Sequence, residues 1–198
     1  MKLNAKPNLV TKMKSKMKPL SQFPQTIKTP TGALRTVAAT PENAEKIFKI
    51  VAENREFLAA WIERLDYVRN ADDVLNYLNK REAQIKANEG VCFYIFVDDE
   101  IVGWIRFGVM ADNECEIGYW LVKSATGHGY MGEALAALES ELFKFGFEKI
   151  IIDVDAGNTP SENVARRAGY TLERRVPMNS WAKCVGKCDS LIFGKKKS

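Results

Sequence analysis

Gly127-His128-Gly129-Tyr130-Met131-Gly132 places three glycines in six residues just before a stretch patterned as a helix. Such a loop leaves backbone N–H groups uncovered, and they converge with the helix dipole on a point suited to a pyrophosphate. Upstream, Glu116 lies two residues before Gly118 in a strand-patterned run. Side chains two apart share a strand face, so the bare Gly118 leaves room for a group whose proton the Glu116 carboxylate can take. Downstream, Thr159-Pro160-Ser161-Glu162 reads as a capping box with proline at its first helical position. Asn158 and Ser161 can serve a ligand there, or can merely satisfy the helix start. His128 is the only imidazole, sits at a variable loop position, and is read as a bystander able to touch a phosphate.

The glycine run matches the dinucleotide-binding fingerprint, but its place does not. That fingerprint belongs to the first strand-helix-strand unit of a doubly wound sheet, whereas here it follows an antiparallel meander two-thirds along the chain. A phosphate-binding P-loop is excluded because no Gly-Lys-Ser/Thr follows.

Ala33 to Ala38 reads as a first strand; Thr40-Pro41-Glu42-Asn43 opens a helix through Ile47, Ile50 and Val51; a short helical piece holds Phe57, Leu58, Trp61 and Leu65. Asp72 is expected to cap a longer helix carrying Val74, Leu75, Leu78 and Ile85. The period then changes. Val91 to Val97 and Ile101 to Val109 flank the turn Asp98-Asp99-Glu100 as a hairpin, and Glu114 to Val122 follows the Asp112-Asn113 turn. Met131, Ala134, Leu135, Leu138 and Leu142 form a helical stripe, and Lys149 to Val154 is expected to be a strand buried on both faces. After the capped helix come two final strands, Tyr170 to Val176 and Ser190 to Phe193. This order specifies an α+β fold on a mixed sheet.

The chain has 198 residues, 46% of them hydrophobic, enough for one globular domain with a real core. No apolar run approaches the roughly eighteen residues of a membrane span, and the start lacks a signal-peptide centre, so a cytoplasmic location is expected. Cys92, Cys115, Cys184 and Cys188 are expected to be free thiols; Cys184-xxx-Cys188 lacks the further ligands of a structural zinc site, and no metal is expected. The net charge of +4 is uneven: residues 1 to 41 hold eight basic residues and no acid, whereas residues 42 to 194 hold 18 basic and 25 acidic, a net of −7. Residues 1–30 read as a basic, poorly ordered arm, residues 31–194 as the folded domain, and 195–198 as a basic tail. The arm lacks the interleaved aromatics of a nucleic-acid stacking surface, so no nucleic-acid partner is expected.

Cys115-Glu116-Ile117-Gly118-Tyr119-Trp120-Leu121, Gly127 to Ala134, Asn158-Thr159-Pro160-Ser161-Glu162-Asn163 and Arg167 to Glu173 together resemble the GCN5-related N-acetyltransferases (GNAT), in the RimJ/RimL branch. Asn54-Arg55-Glu56-Phe57-Leu58-xx-Trp61 suits the same branch, and the resemblance spans about residues 33 to 194. It implies a mixed sheet of six to seven strands whose central pair splays, flanked by helices. It implies acetyl-CoA as donor and direct transfer to a primary amine, either a protein N-terminus or a small amine such as an aminoacyl-nucleotide antibiotic, by a monomer or homodimer. A non-catalytic CoA-binding module, tethered to RNA or a ribosome by the arm, is the alternative.

Carried onto this sequence, the resemblance assigns cofactor binding to Leu121, Val122, Thr126, Gly127, His128, Gly129, Tyr130, Met131, Gly132, Asn158 and Asn163. An N–H near Leu121 or Val122 would hold the developing oxyanion. Glu116 would be the general base, acting through water, and Ser161 would protonate the leaving thiolate. Trp61, Tyr119 and Trp181 would wall the acceptor, and Tyr67 and Trp104 are further aromatics that can wall it or pack in the core. Two positions depart from the family pattern: Ser124 stands where Gln or Arg is common, and Ser180 where the branch can carry a glutamate.

Overall fold

The computed structural model describes residues 18–110 and 113–197. Eight strands form one mixed sheet in the order β1-β2-β3-β4-β5-β6-β8-β7. They are β1 Thr26–Lys28, β2 Gly32–Arg35, β3 Gly90–Val97, β4 Glu100–Val109, β5 Glu114–Leu121, β6 Lys149–Asp155, β7 Thr171–Ala182 and β8 Gly186–Lys196. Among the described residues the α-helices are α1 Pro41–Glu53, α2 Arg55–Ala59, α3 Ala71–Lys86, α4 Tyr130–Phe145 and α5 Thr159–Arg167. Among the described residues no helix is long and apolar enough to cross a membrane.

Strand alternation divides the core. Phe93, Ile105, Phe107, Ile117, Ile150 and Ile152 face α4 and α5, packing with Leu135, Leu138 and Ala165. Cys92, Tyr94 and Trp104 point the other way, against Ile47 and Val51 of α1 and Val74 and Leu78 of α3. The two sides are the α4/α5 face and the α1/α3 face.

One pairing positions the site. β5 and β6 run parallel and pair only from Glu114↔Lys149 to Ile117↔Ile152. Beyond that, β5 continues to Leu121 on β4, while β6 continues to Asp155 on β8, so the two strands part.

Several expectations are corrected. The domain does not begin at residue 31: Leu20, Phe23 and Ile27 are buried in the core, and Thr26–Lys28 adds strand β1 to the sheet edge. Apolar side chains spaced along 20–27 outweighed a local pattern dominated by Lys and Pro. The earlier part of the expected arm, 1–17, and the expected turn residue Asp112 lie outside the described residues. The C-terminal tail is likewise part of the sheet through Lys196, and Lys195 pairs with Glu139 of α4 at 2.6 Å. Among the described residues the sheet has eight strands, not six to seven, because β1 forms; the last two strands are also longer than expected and make a long hairpin. Asn70, not Asp72, caps α3, in a reciprocal capping box with Asp73. Asn158, not Thr159, caps α5, accepting from the Ser161 N–H. Strand β6 is not buried on both faces: Ile150, Ile152 and Val154 are buried on the α4/α5 face, while Lys149, Ile151 and Asp155 are part-buried and Asp153 exposed on the other.

Candidate active site

A cavity of about 1350 Å³ opens where β5 and β6 part. Ile47, Tyr77 and Arg81 line it from the α1/α3 face, and Met131, Gly132 and Ser161 from the α4/α5 face, so it passes through the sheet. Two ligands can therefore meet in the gap from opposite sides.

On the α4/α5 side the glycine loop leads into α4. Gly127 and Gly129 have φ of +83° and +85°, a left-handed backbone that favours glycine. A Cβ placed on Gly127, Gly129 or Gly132 would meet nothing within 4 Å, so the space before the helix is open. The N–H groups of the first helical turn, Tyr130 to Gly132, have no intrahelical partners and face that space with the helix dipole. Thr126 pins the loop by donating its hydroxyl to the Lys123 carbonyl at 2.8 Å. The His128 ring stacks on Tyr130 at 5.5 Å, and neither side chain lines the cavity.

The strand edge beside the gap carries a second set of backbone groups. The Val122 N–H donates to the Val102 carbonyl at 2.9 Å, so it is already used and the expectation of a ligand on it is corrected. In an antiparallel ladder, hydrogen-bonded and non-hydrogen-bonded pairs alternate. Since Val122 bonds toward β4, Leu121 and Tyr119 turn their N–H and C=O groups toward β6, past the point where its ladder has ended. These groups, the open loop and the through-sheet cavity fit an extended phosphate-bearing cofactor.

Tyr119 was expected to wall the acceptor, but alternation puts it on the α4/α5 face. Its hydroxyl donates to the Ser161 carbonyl at 3.2 Å, and the Ser161 hydroxyl donates to the Tyr119 oxygen at 3.1 Å. Burial pushes the Tyr119 phenol above its usual range, so it keeps its proton. Asn158 fixes the turn that carries Ser161, and Asn158 and Asn163 both line the cavity.

On the α1/α3 side the carboxylates are arranged differently from expectation. Glu116 stands 3.7 Å from Arg106 and is not among the residues lining the cavity. Asp153 and Asp155, two apart on β6, both line it. Asp153 is exposed toward the cavity, yet neighbouring protein shields its carboxyl enough to push it up to about 6, helped by the nearby charges of Glu116 and Asp155 against a lowering hydrogen bond with Ser190. Ser180, at the position where the branch can carry a glutamate, donates a short hydrogen bond to Asp155. The signal for these carboxylates was present: Asp153 and Asp155 punctuate an apolar run at strand spacing.

The model of the family described as "Acetyltransferase (GNAT) domain" matches residues 33–171. The chain belongs to the GNAT acetyltransferase family. It is 26% identical over 144 residues to the ribosomal-protein-serine acetyltransferase of Escherichia coli K12, covering 71% of this chain and 80% of that one. Its fold matches RimL, the ribosomal L7/L12 alpha-N-protein acetyltransferase solved with coenzyme A, with a TM-score of 0.80 at 22% identity, over 86% of this chain and 97% of that one. It also matches the microcin C7 self-immunity acetyltransferase MccE, solved with acetyl-CoA and AMP, with a TM-score of 0.75 at 22% identity, over 85% of this chain and 98% of that one. As a GNAT domain the protein is an acetyl-CoA-dependent N-acetyltransferase.

In this GNAT domain Trp61 lines the cavity close to Gly157, whereas Trp181 is 48% exposed on β7 and lines none of it. The expectation for Trp181 is corrected: the last strands form a long hairpin that carries it outward. Tyr67 and Trp104, two further aromatic candidates, also line the cavity; Trp104 stacks with Trp120 at 6.5 Å, and the sequence reading missed Trp120, Tyr77, Arg81 and Arg106 beside it.

Proposed function

We propose that the acceptor amine enters from the α1/α3 face, meets the donor in the gap between β5 and β6, and attacks it directly. Acetyl-CoA bound along the α4/α5 side supplies an acetyl thioester whose carbonyl carbon accepts the amine and whose sulfur leaves. The first-turn N–H groups of α4 and the glycine loop hold its phosphates, with Asn158 and Asn163 beside the pantetheine arm. The Leu121 N–H stabilises the oxygen that gains charge, a contact worth roughly 3–4 kcal/mol. The linked hydroxyls of Ser161 and Tyr119 deliver a proton toward the leaving sulfur.

The base is Asp153 in this reading. An amine arrives mostly protonated at neutral pH, and a carboxylate titrating near 6 is matched to removing its proton. Glu116, the base expected from sequence, instead acts on Asp153 through its charge. The observation that carries the reading is the opening of one cavity to both sheet faces at the point where the only parallel pair among the described strands ends.

The acceptor is a protein N-terminus, as the relatives' names suggest, or a small amine, as for the self-immunity enzyme. Incubation with acetyl-CoA and a panel of N-terminal peptides and small amines, read by thiol release and product mass, tests both. Acetylated product with at least one amine is expected; coenzyme binding without turnover of any amine would leave a binding module.

A further inference from the structure

The half of the cavity facing α1 and α3 holds a guanidinium short of acceptors. Arg81 lines the cavity, and among the described residues its Nε is buried without a hydrogen-bond partner, whereas the Trp104 indole beside it is left only the Cys92 thiol. A buried guanidinium short of acceptors is costly, so its place in the lining favours a ligand that accepts. Arg81 is held in place by its guanidinium lying 4.6 Å over the Tyr77 ring, and among the described residues no carboxylate reaches ion-pair distance from it. Arg106 meets Glu116 at 3.7 Å, beyond hydrogen-bond length, and its Nε lies 3.7 Å from where a Gly118 side chain would begin.

The rest of this wall brings no negative charge to Arg81. Burial pushes the Cys92 thiol up to about 12 and the Tyr77 phenol higher still, so both stay neutral. The carboxylates of the lining sit elsewhere: Asp73 accepts from the Arg69 and Asn70 N–H groups, Glu139 pairs with Lys195, and Asp153 and Asp155 are on β6. Lys80 and Arg64 add positive charge to the half of the lining that Arg81 occupies. Within the half facing α1 and α3, Arg81 of α3 and Arg106 of β4 thus stand apart from Asp153 and Asp155 of β6.

We propose that Arg81, Arg106, Trp104 and Tyr77 form a subsite for an anionic group, a carboxylate or a phosphate, carried by the acceptor amine. The amine lies toward Asp153 and the anion toward the arginines. The inference rests on the acetyltransferase reading of the cavity and narrows its acceptor. It runs against the charge of the folded body, which by itself would favour a cationic partner.

The test uses the full chain saturated with coenzyme A, so that the phosphate loop is filled and no turnover is needed. Inorganic phosphate and, separately, acetate are titrated while the Arg81 Nε–H and Trp104 indole N–H resonances are followed by NMR, assigned with Arg81→Gln and Trp104→Phe. A saturable shift of both signals is expected with at least one anion, while the Trp181 indole stays fixed. In each variant, followed through the remaining signal, binding weakens about tenfold or more, the size of one lost charge-assisted hydrogen bond. A response to phosphate alone assigns a phosphate-bearing acceptor; one to acetate alone assigns a carboxylate. No saturable shift with either anion, or an unchanged response in both variants, overturns the subsite. Failure of acetyl transfer alongside intact anion binding would instead sink the enzymatic reading.

Discussion

The hydroxyls of Tyr119 on β5 and Ser161 on α5 are hydrogen-bonded at 3.1 Å, so the two elements are joined by a pair of protonated oxygens at the mouth of the splay. Asn158 caps α5 through the Ser161 backbone N–H and does not use its hydroxyl. The helix start therefore survives removal of the Ser161 side chain. Ser161→Ala and Tyr119→Phe should each lower kcat by about a hundredfold with the KM for acetyl-CoA nearly unchanged. Because the pair acts as a unit, the double variant should lose scarcely more than either single one. Steady-state kinetics on the three proteins checks this.

Gly129 tests the phosphate cradle. An alanine there meets no atom within 4 Å but must adopt φ near +85°, a strain of about 1–2 kcal/mol. Gly129→Ala should raise the KM for acetyl-CoA several-fold while kcat at saturation changes little. Donor titrations at fixed acceptor concentration report both values.

Phe23 tests the corrected domain boundary. It is 3% exposed and packs its ring 4.9 Å from Phe107 and 5.1 Å from Phe145. Phe23→Ala should cost about 3–5 kcal/mol of stability, measured by urea unfolding. Deleting residues 1–28 should destabilise the domain at least as much.

Local signals carried most of the fold. The β3–β4 hairpin, the glycine loop, the Leu135–Leu138–Leu142 stripe and the proline-opened helices are each written in contiguous residues. The loop Gly127 to Gly132 and the turn Asn158 to Ser161, proposed here to hold the cofactor, were legible as motifs because they are short and contiguous. The proposed acceptor wall was legible only in single aromatics such as Trp61 and Trp104. Tyr77, Arg81 and Asp153 come from α3 and β6 and line one cavity only because β5 and β6 part, which no local pattern encodes. Residues 20–28 were misread for a related reason: their apolar positions gain meaning only against Phe93 and Phe107, distant in sequence.

Glu116 and Asp153 are separated by their response to pH. Glu116→Gln removes a charge that helps to raise the Asp153 carboxyl, so it should move the acidic inflection of kcat/KM to lower pH and leave the rate at pH 8 nearly intact.

The most direct measurement is the pH profile of acetyl transfer by the wild-type protein and Asp153→Asn. For the wild type, kcat/KM should rise as pH climbs through about 6, because the base works only once deprotonated, and a second inflection should follow the acceptor's own ionisation. Asp153→Asn should lose the inflection near 6 and a hundredfold or more in kcat, about the worth of a general base. An Asp153→Asn enzyme that keeps both its rate and that inflection, beside a Glu116→Gln enzyme that loses them, would contradict the account and return the base to β5.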